Sequence, residues 1–203
     1  MPRPMKFDKE AAIETAMQQV WCNGYAATSV KALSEKLGIE RGSFYNAFGR
    51  REDMFKLVIE RYACIAPSKV LYDMDEETPF KPTITRMFRD ICDARAADPD
   101  HRGCLAVNSL AEFGPQEREV AKFLIGLMKG ELSRIRELIG FAIARGELAA
   151  ETDADSLALA LHNLEVGTNL QAKIVHDADN LWSGVRSTLD ALGVLDEAYL
   201  ARG

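Results

Sequence analysis

The stretch of this 203-residue chain with the most pointed chemistry is Arg41-Gly42-Ser43-Phe44-Tyr45-Asn46, with Phe48 two residues on. On a helix Phe44 and Phe48 fall four apart and turn inward, which leaves Ser43, Asn46 and Ala47 to solvent or a partner. Gly42 and Ser43 keep that outer edge shallow enough to approach a groove closely, and Arg41 carries the fork that pairs bidentately with a guanine edge. Thr28, Tyr45 and Asn46 can donate to phosphate oxygens. The competing reading, a three-helix unit packed by its glycines and aromatics, accounts for Phe44 and Phe48. It does not account for Arg41, Tyr45 and Arg51 combined with a flat Gly-Ser surface.

Thiols are the other reactive groups. Cys22, Cys64, Cys92 and Cys104 are widely spaced without a C-x-x-C pair, so neither a zinc ribbon nor a dithiol redox motif is available. In a reducing cytosol they start as free thiols. Cys22, Cys64 and Cys92 lie within helical apolar patterns and read as packing residues. Cys104 opens a helix directly after Asp98-Pro99-Asp100-His101-Arg102-Gly103, where unpaired backbone N–H groups and Arg102 favour the reactive thiolate; the alternative is a small buried core residue. His101, His162 and His176 are the only histidines, and no E-x-x-H or H-E-x-x-H pair offers a metal site. His162 and Glu165, three apart on one helical face, read as a hydrogen-bonded or interfacial contact. A helical-bundle enzyme is the alternative class, but no catalytic residue, metal or cofactor is assigned.

These groups need elements to hold them. Hydrophobic residues make up 47% of the chain and charged residues 28%, as in an ordinary folded protein. The 27 Ala and 21 Leu outweigh 10 Val, 11 Ile and 8 Thr, so the expected class is all-α. No run approaches the roughly 20 apolar residues that span a bilayer, and Met1 to Ala12 lacks the apolar centre of a secretory signal, so a cytoplasmic protein with no membrane partner is expected. The net charge of −6 is unevenly divided. Residues 1–51 hold eight Lys or Arg against five Asp or Glu, whereas residues 52–203 hold 17 against 26. A basic amino-terminal module on an acidic body suits a protein of which one end approaches DNA. An acidic body also offers no basic surface on which a nonspecific architectural binder could wrap a duplex.

Along the chain, Ile13, Ala16, Met17 and Val20 mark one face of a helix from Asp8, with Gly24 as its stop. Thr28 or Ser29 can cap a short second helix carrying Val30, Leu33 and Leu37, with a turn at Gly38; Arg41–Phe48 forms the third. Another helix runs from near Arg51 to before Pro67. A polar linker, Asp73 to Pro82, precedes a helix with Ile84, Met87, Phe88 and Ile91 on one side, broken at Asp98-Pro99-Asp100. A short segment covers Gly103 to about Phe113. Long helices follow from beyond Gly114-Pro115 to Gly146, from Thr152 or Asp153 to about Val175, and from about Ala178 to Leu192. Two short helices around a Gly-containing turn, the second with a small polar outer edge, form a helix-turn-helix.

Through Thr28, Leu33, Gly38, Arg41-Gly42-Ser43-Phe44-Tyr45, Phe48 and Arg51-Glu52 the sequence resembles the TetR family of bacterial transcriptional repressors. The signature spans about Phe7 to Phe55. The resemblance implies base contacts from Arg41 and Gly42 and phosphate contacts from Thr28, Ser43, Tyr45, Asn46 and Arg51 on a double-stranded DNA operator. Asn46-Ala47 departs from the family's usual pair, and Arg3 and Lys6 suit a basic arm. It divides the chain into a helix-turn-helix domain, residues 1–51, and a helical effector-sensing and dimerisation domain, residues 52–203. The last two long helices are expected to pair with their copies in a homodimer, in keeping with the apolar Leu157, Leu159, Leu161, Leu164, Val166 and Leu170 spread around one of them. Gly103-Cys104-Leu105, Ala111-Glu112 and Asn169-Leu170-Gln171-Ala172-Lys173-Ile174 resemble an electrophile-sensing branch of the family, in which the matching cysteine is the responsive thiol; Lys173 would stabilise it. A reversible small-molecule inducer among Phe88, Phe113 and Trp182 is the alternative trigger.

Overall fold

The computed structural model describes residues 8–113 and 118–200. The basic arm read at Arg3 and Lys6, and the break at Gly114-Pro115, lie outside the described residues. All regular structure among the described residues is helical, as composition predicts. The chain forms two compact units, one of residues up to Ile65 with Leu105–Ile125, the other of Ala66–Cys104 with residues from Gly126 onward.

In the first unit, α1 (Lys9–Ala27) starts on Asp8, whose carboxylate accepts from the N–H groups of Glu10 and Ala11. Its dihedral angles break at Gly24 (φ 80°, ψ 165°), and one further turn follows, so the glycine kinks the helix where the sequence suggests a stop. Ser29, not Thr28, caps α2 (Val30–Leu37) by accepting from Ala32 N–H at 3.1 Å. After the left-handed turn at Gly38 come α3 (Arg41–Phe48) and α4 (Arg51–Ala63). Helix α4 packs along α1, its Met54, Phe55, Val58, Ile59 and Tyr62 buried with Ala16, Met17 and Phe44. That packing carries the amino-terminal unit past residue 51 and draws in α7 (Leu105–Glu112).

The second unit contains a 3-10 turn (Pro67–Lys69), α5 (Val70–Asp73), α6 (Phe80–Ala96), the later part of α8 (Arg118–Ala144), α9 (Ala154–Gln171), α10 (Ala178–Ala191) and α11 (Glu197–Leu200). Its core joins Phe80, Ile84, Phe88, Ile91, Ile139, Leu161, Trp182 and Leu189. The linker expected over Asp73 to Pro82 is shorter than the sequence suggests. Glu147 accepts from the N–H groups of Phe80 (2.8 Å) and Lys81 (2.7 Å), so α6 starts at Phe80. Pro82 then sits in its first turn, where a missing N–H is harmless. Cys92 is buried as expected, its thiol pushed up to about 11 by desolvation, but Cys22 and Cys64 are exposed rather than core residues. Their helices are narrower on the buried side than the apolar spacing implied.

Candidate nucleic-acid interface

Helix α3 sorts its side chains by face. Phe44 and Phe48 are fully or nearly buried, with ring centroids 5.3 Å apart, and anchor the helix to the first unit. Arg41, Gly42, Ser43, Tyr45 and Asn46 are all exposed, and together form one outward edge. A Cβ placed on Gly42 would meet nothing within 4 Å, so the fold does not demand a glycine there. The shallow edge is therefore available to an incoming surface, which is what close approach to a groove requires.

The structure does not bring Thr28 or Arg51 to that edge. Thr28 is buried, and its hydroxyl donates to Gly24 O at 2.7 Å, which uses its one hydrogen. Arg51 turns inward: its guanidinium lies 3.8 Å over the Tyr25 ring and donates to Tyr25 O. Arg51 thus ties the start of α4 to the kinked end of α1. Replacing Arg51 with Ala is expected to lower the melting temperature and to weaken binding to every DNA sequence alike. A variant that melts normally but loses DNA affinity would return Arg51 to the phosphate-contacting set.

The same kink holds a group that local sequence reading assigned no role. Glu112, at the end of α7, accepts from Tyr25 N–H at 2.8 Å and from Ala26 N–H at 2.5 Å. Phe113 packs edge-on against Tyr25 and Phe55, with centroids 5.4 and 5.5 Å away. Phe113 therefore belongs to the amino-terminal unit. Phe88 and Trp182 are buried in the core of the other unit.

Within the second unit, Cys104 is half-buried and Gly103 backs onto the end of α9. At Gly103 (φ +72°) an added Cβ would lie 2.8 Å from Asn169 O and 3.2 Å from Lys173 Cγ. The stem of Lys173 thus lies against the residue preceding Cys104. Nearby, the His101 and His176 rings stack with centroids 3.4 Å apart, and Arg95 Nε donates to the buried Asn169 Oδ1 at 2.6 Å. Arg102 is clasped by Asp98, whose burial alone would raise its carboxyl; the hydrogen bonds and charge of Arg102 reverse this and hold it below the ordinary range. Gly103→Ala combines a strained backbone with that close approach, and is expected to cost about 1–3 kcal/mol, read as a lowered denaturation midpoint. An unchanged midpoint would mean that the loop rearranges freely.

An exposed, shallow, arginine-tipped second helix on a helix-turn-helix, joined to a larger helical unit, defines a DNA-binding regulator. Residues 12–58 match the family described as bacterial regulatory proteins, tetR family, and residues 81–187 match the tetracyclin repressor-like C-terminal domain. The chain belongs to the TetR family of transcriptional regulators. It is 26% identical over 172 residues to the HTH-type transcriptional repressor ComR of Escherichia coli, covering 84% of this chain and 82% of that one. It is 27% identical to the transcriptional regulator AcuR of Cereibacter sphaeroides, covering 88% and 82%. A cysteine mutant of the TetR family regulator CifR, solved with 26 bp operator DNA, superposes with a TM-score of 0.82 at 28% identity, covering 93% of this chain and 98% of that one. No helix among the described residues is long and apolar enough to cross a membrane.

Proposed function

We propose that the chain is a dimeric repressor that reads its operator with the outer edge of α3 and is released when an electrophile or oxidant reacts at Cys104. The observation that carries the reading is the exposed Arg41-Gly42-Ser43 edge, with Tyr45 and Asn46 beside it, over buried Phe44 and Phe48. Base contacts fall to Arg41 and Gly42, and phosphate contacts to Ser43, Tyr45 and Asn46. Two such edges read half-sites about 34–36 Å apart in a two-fold dimer. Leu159, Leu170 and Ile174, exposed at 49%, 57% and 73%, support pairing through α9 and the turn after it.

The trigger is supported by the half-buried Cys104 thiol and the stem of Lys173 against Gly103. In addition to an activated alkene, the Cys104 thiol gives its proton to solvent as its sulfur lone pair forms an S–C bond, and the displaced π pair takes a proton from solvent. The modified side chain is larger than the thiol it replaces beside the end of α9, which favours a second arrangement that fits DNA poorly. Titration of operator DNA from the gene's own flank, with and without N-ethylmaleimide, tests both parts. Wild type is expected to bind and then release; Cys104→Ser is expected to bind and stay bound. Release of the serine variant would move the sensor elsewhere, and failure of wild type to select operator over random DNA would overturn the repressor reading.

A further inference from the structure

Two imidazoles join the loop before α7 to the turn after α9. The His101 and His176 rings lie face to face, with centroids 3.4 Å apart and planes 4° from parallel. Both residues sit outside helices, His101 in the loop that leads to Cys104 and His176 in the turn between α9 and α10. Among the described residues His101 is the one non-glycine with a positive φ, at 47°. A side-chain-bearing residue keeps such a backbone where its surroundings fix it. Here the turn, closed by His101 N–H donating to Asp98 O at 3.0 Å, and the stacked ring hold it from two sides.

The stack is not built for two cations. His176 is exposed, and its Nε2–H donates to Lys173 O at 3.3 Å; a carbonyl only accepts, so this nitrogen carries its hydrogen. His101 Nδ1 is buried without a hydrogen-bond partner. An imidazolium carries hydrogen on both nitrogens, so charging His101 buries an N–H that meets no acceptor. The carboxylates on the two segments already have partners. Asp98 accepts from Arg102 Nε and Nη2, Asp100 lies 3.9 Å from Arg102 Nε, and Asp177 caps α10 by accepting from Asn180 N–H at 2.8 Å. The remaining charges are positive: Lys173, its stem against Gly103, and Arg95 of α6, which donates to Asn169.

We propose that the His101–His176 stack is an acid-released latch, which fixes residues 98–104 to the end of α9 while at most one ring is charged and frees them when both are. A single proton goes to exposed His176, where water solvates it. A second places like charges 3.4 Å apart and adds the buried donor on His101. The segment so held carries Cys104, but the latch depends neither on that thiol's reactivity nor on the operator-reading edge.

Because charging both rings is disfavoured while they are stacked, the latch is firm above the range in which imidazole titrates, about pH 5–8, and weakens as pH falls through it. Opening that takes up one more proton raises the open population by up to about tenfold per pH unit. Glu165 acts in the opposite sense: burial and then the charge of Glu131 push it up to about 8, so its contribution to stability is lost as pH rises through that value. The readout must therefore be local. Hydrogen exchange of the full-length protein, corrected for intrinsic rates, is followed from about pH 8 to 5. Amides of residues 100–104 and 173–176 are expected to lose protection at the acid end, while α6 keeps its own. His176→Phe, which keeps a flat ring but takes no proton, is expected to stay closed at the acid end. His176→Ala is expected to be open throughout. His101→Asn suits the left-handed backbone, so it is expected to fold and to lose the acid response. In parallel, the two imidazole resonances are expected to titrate in separate steps, the second coinciding with opening. An equal acid response in wild type and His176→Phe, full protection in His176→Ala, or both rings titrating together in one step would overturn the proposal.

Discussion

Replacing Arg41 with Ala is expected to lower operator affinity by about tenfold to a hundredfold, or about 1–3 kcal/mol, and to flatten base preference at one position in each half-site. The melting temperature is expected to stay put. Arg41 is exposed at the first position of α3, where its loss uncovers no core surface, whereas Phe44 and Phe48 beneath carry the helix's attachment. A change confined to binding therefore separates reading from folding. Fluorescence anisotropy on the operator, on single-base variants of it and on random DNA checks this. Weakening that is uniform over all three, or no weakening, would remove Arg41 from the base-reading role.

Glu112→Ala is expected to do the reverse, changing the fold of the reading head through a residue that faces no groove. Its carboxylate holds two backbone N–H groups at a kink where α1 has lost its own ladder, and the Tyr25 N–H is partly buried. Hydrogen bonds to a charged acceptor contribute about 1.5–3 kcal/mol each, and the exposed Ala26 N–H can turn to water, so about 3 kcal/mol in total is expected. For a chain of this size that is a fall of roughly 6–12 °C in melting temperature. Specific and nonspecific DNA binding are expected to fall together, since the kink supports Arg51, Tyr25 and the start of α2 at once. Glu112→Gln, which keeps one acceptor, is expected to lie between. An unchanged melting temperature in Glu112→Ala would show that the kink holds itself.

The reading head was legible because its signals are local. Ser29 before an apolar face, Gly38 at a left-handed turn and Phe44 with Phe48 four apart each declare themselves within one or two turns. What sequence could not declare was direction and distance. Arg51 and Thr28 have side chains suited to phosphate, and only the position of Tyr25 and Gly24 turns them inward. Glu112 meets Tyr25 across 87 residues, and Glu147 meets Phe80 across 67, so the start of α6 could not be read from a Pro-containing polar stretch. Exposed Cys22 and Cys64 failed for a related reason: apolar spacing sets which face is inward, but not how wide that face is. His162 and Glu165 share a helical face as their spacing requires, yet each points a lone polar atom into the interior with nothing to meet it.

The empty space around Gly42 has an evolutionary corollary. Because no neighbour polices that position, its occupant, on the proposed reading of the operator, answers to the nucleotide partner alone, and a lineage can rewrite the address it reads without renegotiating the architecture that carries it.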